Sequence, residues 1–160
     1  MGCGKSYWGQ QLAQKLELPF FDLDHTIEEG EARSITSIFE REGEEHFRQL
    51  EKEALHLITE SHGAFVMATG GGTPCFYNNI EYMKKRGVVV WIHCSVEELQ
   101  RRLSGEKETR PLIKDLTDEQ LTSFISKKGA DRNIFYRQAT TTVNGEGLSL
   151  DLLVNKIFHT

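Results

Sequence analysis

The chain has 160 residues, a formal net charge of −5 and 27% charged residues, enough for a real core in one domain. The acidic balance argues against nonspecific nucleic-acid binding, which wants a basic face. No stretch approaches the ~18 apolar residues of a membrane span, so no membrane association is expected.

The three cysteines, Cys3, Cys75 and Cys94, fit no zinc spacing and make a poor disulfide framework. With no charged-then-apolar signal pattern at the start, the expectation is a reduced, cytoplasmic protein.

Met1-Gly2-Cys3-Gly4-Lys5-Ser6 reads as the end of a phosphate-binding loop opening a helix. Backbone N–H groups must approach phosphate oxygens closely there, and a Cβ would block them. In that reading Gly2, Cys3 and Gly4 cradle phosphate, Lys5 reaches the β- and γ-phosphates of ATP, and the Ser6 hydroxyl ligates Mg²⁺. The helix N-terminus adds attraction for the anion. The full pattern G-x-x-x-x-G-K-[ST] also wants an earlier glycine and a strand leading into the loop. The expectation is therefore that Met1 is an internal methionine and the natural chain begins roughly ten residues earlier.

Residues 5–16 place Trp8, Leu12 and Leu16 on one helical stripe. Residues 18–23 (LPFFDL) read as a buried parallel strand, and 34–62 as helix broken at Gly43. Residues 64–69 (AFVMAT) form a second strand running into Gly70-Gly71-Gly72, followed by a polar helix over 77–86. Residues 88–94 (VVVWIHC) are apolar on both faces and read as a central strand. Ser95 to Glu98 spells a capping box for a helix to about Leu103. A charged loop over 104–116, a helix over 117–138, a strand at Thr140–Val143 and a helix capped by Ser149 complete the chain. Strands alternating with helices mean α/β with a parallel sheet.

Asp22 and Asp24 stand at the end of the first strand, where ligands of open α/β sheets bind. On an extended chain their spacing points both the same way, suiting Mg²⁺ and a substrate hydroxyl. Asp24 also reads as a helix N-cap. The Gly70–Gly72 triplet reads either as a tight turn or as a close approach of backbone to a ligand. Arg48, with Glu51 at i+3 to hold it, Arg110 and Arg132 suit an anionic substrate, which guanidinium grips bidentately.

Taken together, these segments resemble the shikimate kinase family. Phe21-Asp22-Leu23-Asp24, Gly43-Glu44-Glu45-His46-Phe47-Arg48 with Glu51, Gly70-Gly71-Gly72, Arg110-Pro111-Leu112, and Arg132 with Tyr136 match its motifs in order. The resemblance covers essentially the whole chain. It implies a three-layer α/β/α P-loop kinase fold of strand order 2-3-1-4-5, with the first strand missing here. It further implies one kinase domain over 1–160, substrate segment about 24–62 and lid 104–116, expected to be a monomer. The implied reaction is ATP-dependent phosphorylation of the 3-hydroxyl of shikimate, a step of aromatic amino-acid biosynthesis.

By that resemblance Asp24 is the base and binds substrate hydroxyls, while Ser6 and Asp22 hold Mg²⁺, Asp22 through water. Arg48 and Arg132 grip the shikimate carboxylate, Gly70, Gly71 and Gly72 meet substrate by backbone, and Phe39 and Leu112 line the pocket. Arg110 bridges phosphates from the lid, and Arg102 and Asn144 lie near adenine. The rival readings are another carboxylated-polyol kinase, such as a gluconate kinase, and a non-catalytic relative.

Overall fold

The computed structural model describes residues 1–159, which form two compact units. One unit spans Lys5–Gly87; the other joins Met1–Gly4 to the residues from Val88 on.

In the 5–87 unit the order is α1 (Lys5–Leu16), β1 (Phe20–Asp22), α2 (Leu23–Glu31), α3 (Ile35–Ser61), β2 (Val66–Ala68), a 3₁₀ turn (Thr73–Cys75) and α4 (Asn79–Arg86). β1 pairs with β2 in parallel, with Phe20 opposite Val66 and Asp22 opposite Ala68. Ser34 starts α3 by accepting a hydrogen bond from the Ser37 N–H, as an N-cap serine does. Gly43 breaks the helix at φ +86°, as its place in the sequence predicts. The bend places Ile38 on one arm and Phe47, Leu55 and Ile58 on the other around Leu23 and Ile27. Leu23 and Ile38 are completely buried, so cutting either to alanine costs about 2–5 kcal/mol.

The second unit contains β3 (Val90–His93), α5 (Val96–Ser104), a 3₁₀ turn (Lys107–Thr109), α6 (Asp118–Tyr136), β4 (Thr141–Asn144) and α7 (Leu150–Phe158). β3 and β4 run parallel, from Val90 opposite Thr141 to His93 opposite Asn144. Leu103, Ile113, Leu121 and Ile125 make its core, with Met1, Val96 and Leu99 packed on it. The 104–116 segment, read as a bare loop, thus carries a 3₁₀ turn and a fully buried anchor, Ile113.

The chain is α/β with parallel strands, as the alternation predicts. Its described strands form two separate parallel pairs, β1–β2 and β3–β4. Two local expectations change. β3 is half-buried and hydrogen-bonded along one edge only among the described residues, because β4 is its single neighbour. The Ser95 capping box is half made: Ser95 Oγ accepts from the Glu98 N–H, but Glu98 turns to Arg101 and Arg102. The Ser95 N–H donates to Glu146 instead. The complete capping box is Thr117 with Gln120 at the start of α6.

Candidate active site

The 5–87 unit gathers most of the expected chemistry around the ends of β1 and β2. α1 starts at Lys5, directly after Gly2 and Gly4, both at positive φ (+71° and +82°). No acidic side chain sits in its first turn, so its positive end is left for an anion.

Asp22 ends β1 and is itself the N-cap of α2, accepting from the His25 N–H at 3.3 Å. Its other oxygen accepts from Ser6 Oγ at 2.5 Å. The expectation that Asp24 is the cap, and that both aspartates share one extended strand, is therefore corrected. Asp24 lies inside the first turn of α2, past the strand-to-helix switch that Asp22 caps. Burial, and then the negative Glu51 and Asp22 side chains, push the Asp24 carboxyl up to about 6. Lys5 opposes the shift and Glu28 adds to it. Such a carboxylate is a better proton acceptor at neutral pH than an ordinary aspartate.

Arg48 is buried beside a completely buried Glu51. Its Nη1 donates to Glu51 Oε1 at 3.0 Å. Nε and Nη2 reach the exposed Glu44 only at 3.4 and 3.3 Å. The guanidinium lies 4.3 Å from the Phe76 ring centre and 5.1 Å from that of Phe47. Phe39 backs Phe47, the rings 4.8 Å apart. One edge of the guanidinium is thus fixed by the protein, while the other is held weakly by a surface carboxylate.

The glycine triplet is resolved by what surrounds it. Gly72 has an ordinary negative φ of −89°, so no left-handed turn demands glycine there. A methyl group at Gly72 would lie 2.5 to 2.7 Å from the Arg48 guanidinium, and one at Gly70 would lie 3.1 Å from both Asp24 Oδ1 and Glu51 Oε2. The close approach seen at Gly72 is to the protein's own Arg48 side chain. Gly71 lies between the two positions.

The other expected residues belong to the second unit. Arg102 binds Glu98 at 2.7 Å, and its far nitrogens reach the carbonyls of Gly2 at 3.3 Å and Gly145 at 3.5 Å. Arg102 thereby ties the phosphate loop that holds Cys3 to the turn after β4. Arg101, and then Arg102, hold Glu98 down to about 2. Asn144 ends β4 and accepts from the Glu146 N–H at 2.9 Å. Arg110 pairs with Glu106 at 2.7 Å on the surface, and Leu112 is 76% exposed. Arg132 is half-buried on α6 with no hydrogen-bond or ion-pair partner among the described residues.

Sequence reading did not single out Thr73 and Phe76, which touch Glu51 and Arg48. Their only signal was their place directly after the triplet.

The donor set fits Mg²⁺ as P-loop sites bind it. Ser6 and Asp22 supply a hydroxyl and a carboxylate oxygen 2.5 Å apart, hard ligands of the kind that ion takes alongside waters and substrate phosphates.

The shikimate kinase family matches the chain over residues 1–160. The shikimate kinase of Parabacteroides distasonis is 40% identical over 157 residues, covering 98% of this chain and 90% of the relative. The crystal structure of shikimate kinase from Bacteroides thetaiotaomicron superposes with a TM-score of 0.86 at 39% identity, covering 91% of this chain and 82% of that one. Shikimate kinase from Acinetobacter baumannii, solved in complex with shikimate, gives 0.87 at 33% identity, covering 99% and 89%. The fold is that of the P-loop kinases, and this chain belongs to the shikimate kinase family.

Proposed function

We propose that this protein transfers the γ-phosphoryl group of ATP to the 3-hydroxyl of shikimate, giving shikimate 3-phosphate and ADP. The observation that carries the reading is one cluster. A buried guanidinium, fixed along one edge by Glu51, shares its neighbourhood with a carboxylate raised to about 6. A substrate carrying both a carboxylate and a hydroxyl meets a partner for each.

Phosphoryl transfer asks mainly for positioning and charge compensation. The substrate carboxylate takes the Nε/Nη2 edge of Arg48 in place of the loosely held Glu44, because the fork matches it bidentately. Asp24 accepts the proton as the hydroxyl oxygen attacks the γ-phosphorus. The new P–O bond forms as the bond to the β-phosphate bridge breaks, and ADP leaves. Lys5 and the N–H groups opening α1 hold the phosphates. Ser6 and Asp22 are the residues that would hold Mg²⁺, which supplies neutralisation of phosphate charge when bound.

The remaining roles rest on the family resemblance. Arg132 takes the second grip on the carboxylate, Arg110 neutralises charge on the transferred group, and Leu112 covers substrate. Arg102 and Asn144 serve the adenine end, and Gly71 with Gly72 offers backbone N–H groups. The protein acts as a cytoplasmic monomer.

The test is ADP release from MgATP by the purified chain, with shikimate and gluconate in parallel. Shikimate-dependent release establishes the reaction. Release with gluconate alone moves the protein to the rival polyol kinase, and release with neither leaves the non-catalytic relative.

A further inference from the structure

Behind the residues that would touch substrate runs a line of buried hydrogen bonds. Glu51 Oε1 is taken by Arg48, and Glu51 Oε2 accepts from Thr73 Oγ1 at 2.7 Å. Glu51 and Thr73 are both completely buried. Thr73 is fixed in turn. Its N–H donates to the Gly70 carbonyl at 3.2 Å, and its own carbonyl accepts from Asn79 Nδ2 at 2.9 Å. Asn79 is also completely buried, and Pro74 stiffens the 3₁₀ turn that Thr73 opens.

A buried carboxylate must have both oxygens satisfied, or it turns to find a partner. The i, i+3 spacing of Arg48 and Glu51 accounts for one oxygen only. The Thr73 hydroxyl accounts for the other and selects the Glu51 rotamer that faces Arg48. Three oxygens converge here: a methyl on Gly70 would lie 3.1 Å from Asp24 Oδ1, 3.1 Å from Glu51 Oε2 and 3.2 Å from Thr73 Oγ1. The same hydroxyl therefore also fixes how Glu51 stands beside Asp24.

We propose that Thr73 is a positioning residue for the acceptor substrate: its hydroxyl, carried on a backbone that Asn79 braces at the Thr73 carbonyl, locks Glu51 and so presents the Arg48 guanidinium to the substrate carboxylate. This role rests on the reading that the protein phosphorylates shikimate. Thr73 reaches the substrate only through Glu51 and Arg48.

The experiment is steady-state kinetics of Thr73→Val, Thr73→Ser and Thr73→Cys in the full chain, with the KM for shikimate and for ATP measured separately. Valine keeps the shape and removes the hydroxyl. It is expected to raise the KM for shikimate roughly tenfold, the effect of leaving a buried acceptor unpaired, while the KM for ATP stays within about twofold. Serine restores the wild-type KM. A purely structural role would lower the active fraction and leave both KM values unchanged, so that result overturns the proposal. If the valine variant does not fold, serine and cysteine decide. The weaker thiol donor must give the higher KM for shikimate, and equal values for threonine, serine and cysteine overturn the role. A wild-type protein inert toward shikimate overturns the functional reading and this role with it. An active wild type with an unaltered valine variant overturns the role alone.

Discussion

Gly72 and Arg48 share one space: the guanidinium occupies the position that any side chain at residue 72 would need. The three guanidinium atoms nearest a Gly72 methyl lie within 2.7 Å of it. An unrestrained arginine tip would swing aside at little cost. This one is held by Glu51 at 3.0 Å and lies against Phe76. Gly72→Ala is therefore expected to displace Arg48 and raise the KM for shikimate on the order of 10–100-fold. That is the equivalent of losing a charged hydrogen bond of about 1.5–3 kcal/mol. An unchanged KM would mean that Arg48 does not bind the carboxylate from this position.

Asp24→Asn removes the proton acceptor while keeping size and hydrogen-bonding capacity. Turnover should fall by roughly 10²–10⁴-fold, the usual contribution of a positioned base. ATP binding, followed by calorimetry, should remain close to wild type because the phosphate loop is untouched. Near-normal turnover would remove Asp24 from the chemistry.

The pH dependence follows from the same residue. Glu51 on α3, Asp22 on β1, Lys5 on α1 and Glu28 on α2 are the charged groups that act on Asp24, and with burial they bring its carboxyl to about 6. The base works deprotonated, so kcat/KM should fall on the acid side with an apparent midpoint near 6. Glu51→Gln removes the largest neighbouring charge and should move that midpoint down. The stability effect has the opposite sense. The folded value lies above the unfolded 3.8, so the folded state binds the extra proton between them. This group's contribution is fully present below the unfolded value and is lost as pH rises through about 6. Asp24→Asn should accordingly gain stability over wild type at pH 7 relative to pH 4, as read by denaturant unfolding at both. Equal differences at the two pH values would contradict the raised carboxyl.

Much of this site was legible because its signals are local in sequence. Gly43 broke its helix where a lone glycine suggested, and Glu51 stood three residues from Arg48, within reach on a helix. Family motifs in register pointed to the rest of the proposed substrate contacts. What could not be read depended on contacts between distant segments. The Thr73 hydroxyl finds Glu51 across 22 residues. The reason for Gly72 is a side chain on another helix. The misread aspartates show a subtler limit. The chain switches from strand to helix between Asp22 and Leu23, and the two-residue spacing means one thing on a strand and another across that switch.

Two helical glycines separate propensity from packing. Gly30 in α2 has nothing within 4 Å of an added methyl. Gly30→Ala should stabilise the protein by about 0.5–1 kcal/mol through helix propensity. Gly9 in α1 offers the same gain, but its methyl would lie 2.6 Å from Phe20 Cε2. Overpacking costs about 1–3 kcal/mol, which cancels or exceeds the gain. Thermal melts should therefore rank Gly30→Ala above wild type and Gly9→Ala at or below it. A stabilising Gly9→Ala would show that the ring moves freely and that α1 is loosely seated on β1.

Ser6 and Asp22 give the proposed Mg²⁺ role a direct test. The hydroxyl donates to Asp22 at 2.5 Å, so alanine at position 6 removes both the proposed ligand oxygen and the hydrogen bond that orients the carboxylate. Ser6→Ala is expected to raise the Mg²⁺ concentration needed for half-maximal turnover. It should also weaken nucleotide binding when Mg²⁺ is present and much less when it is chelated. That contrast separates a metal role from a structural one, because a helix merely weakened at its first turn would bind nucleotide less well in both conditions. Ser6→Thr keeps the hydroxyl and should restore the wild-type Mg²⁺ dependence. A Ser6→Ala variant with wild-type Mg²⁺ dependence would leave Asp22 as nothing more than the cap of α2, the role its bond to the His25 N–H already gives it.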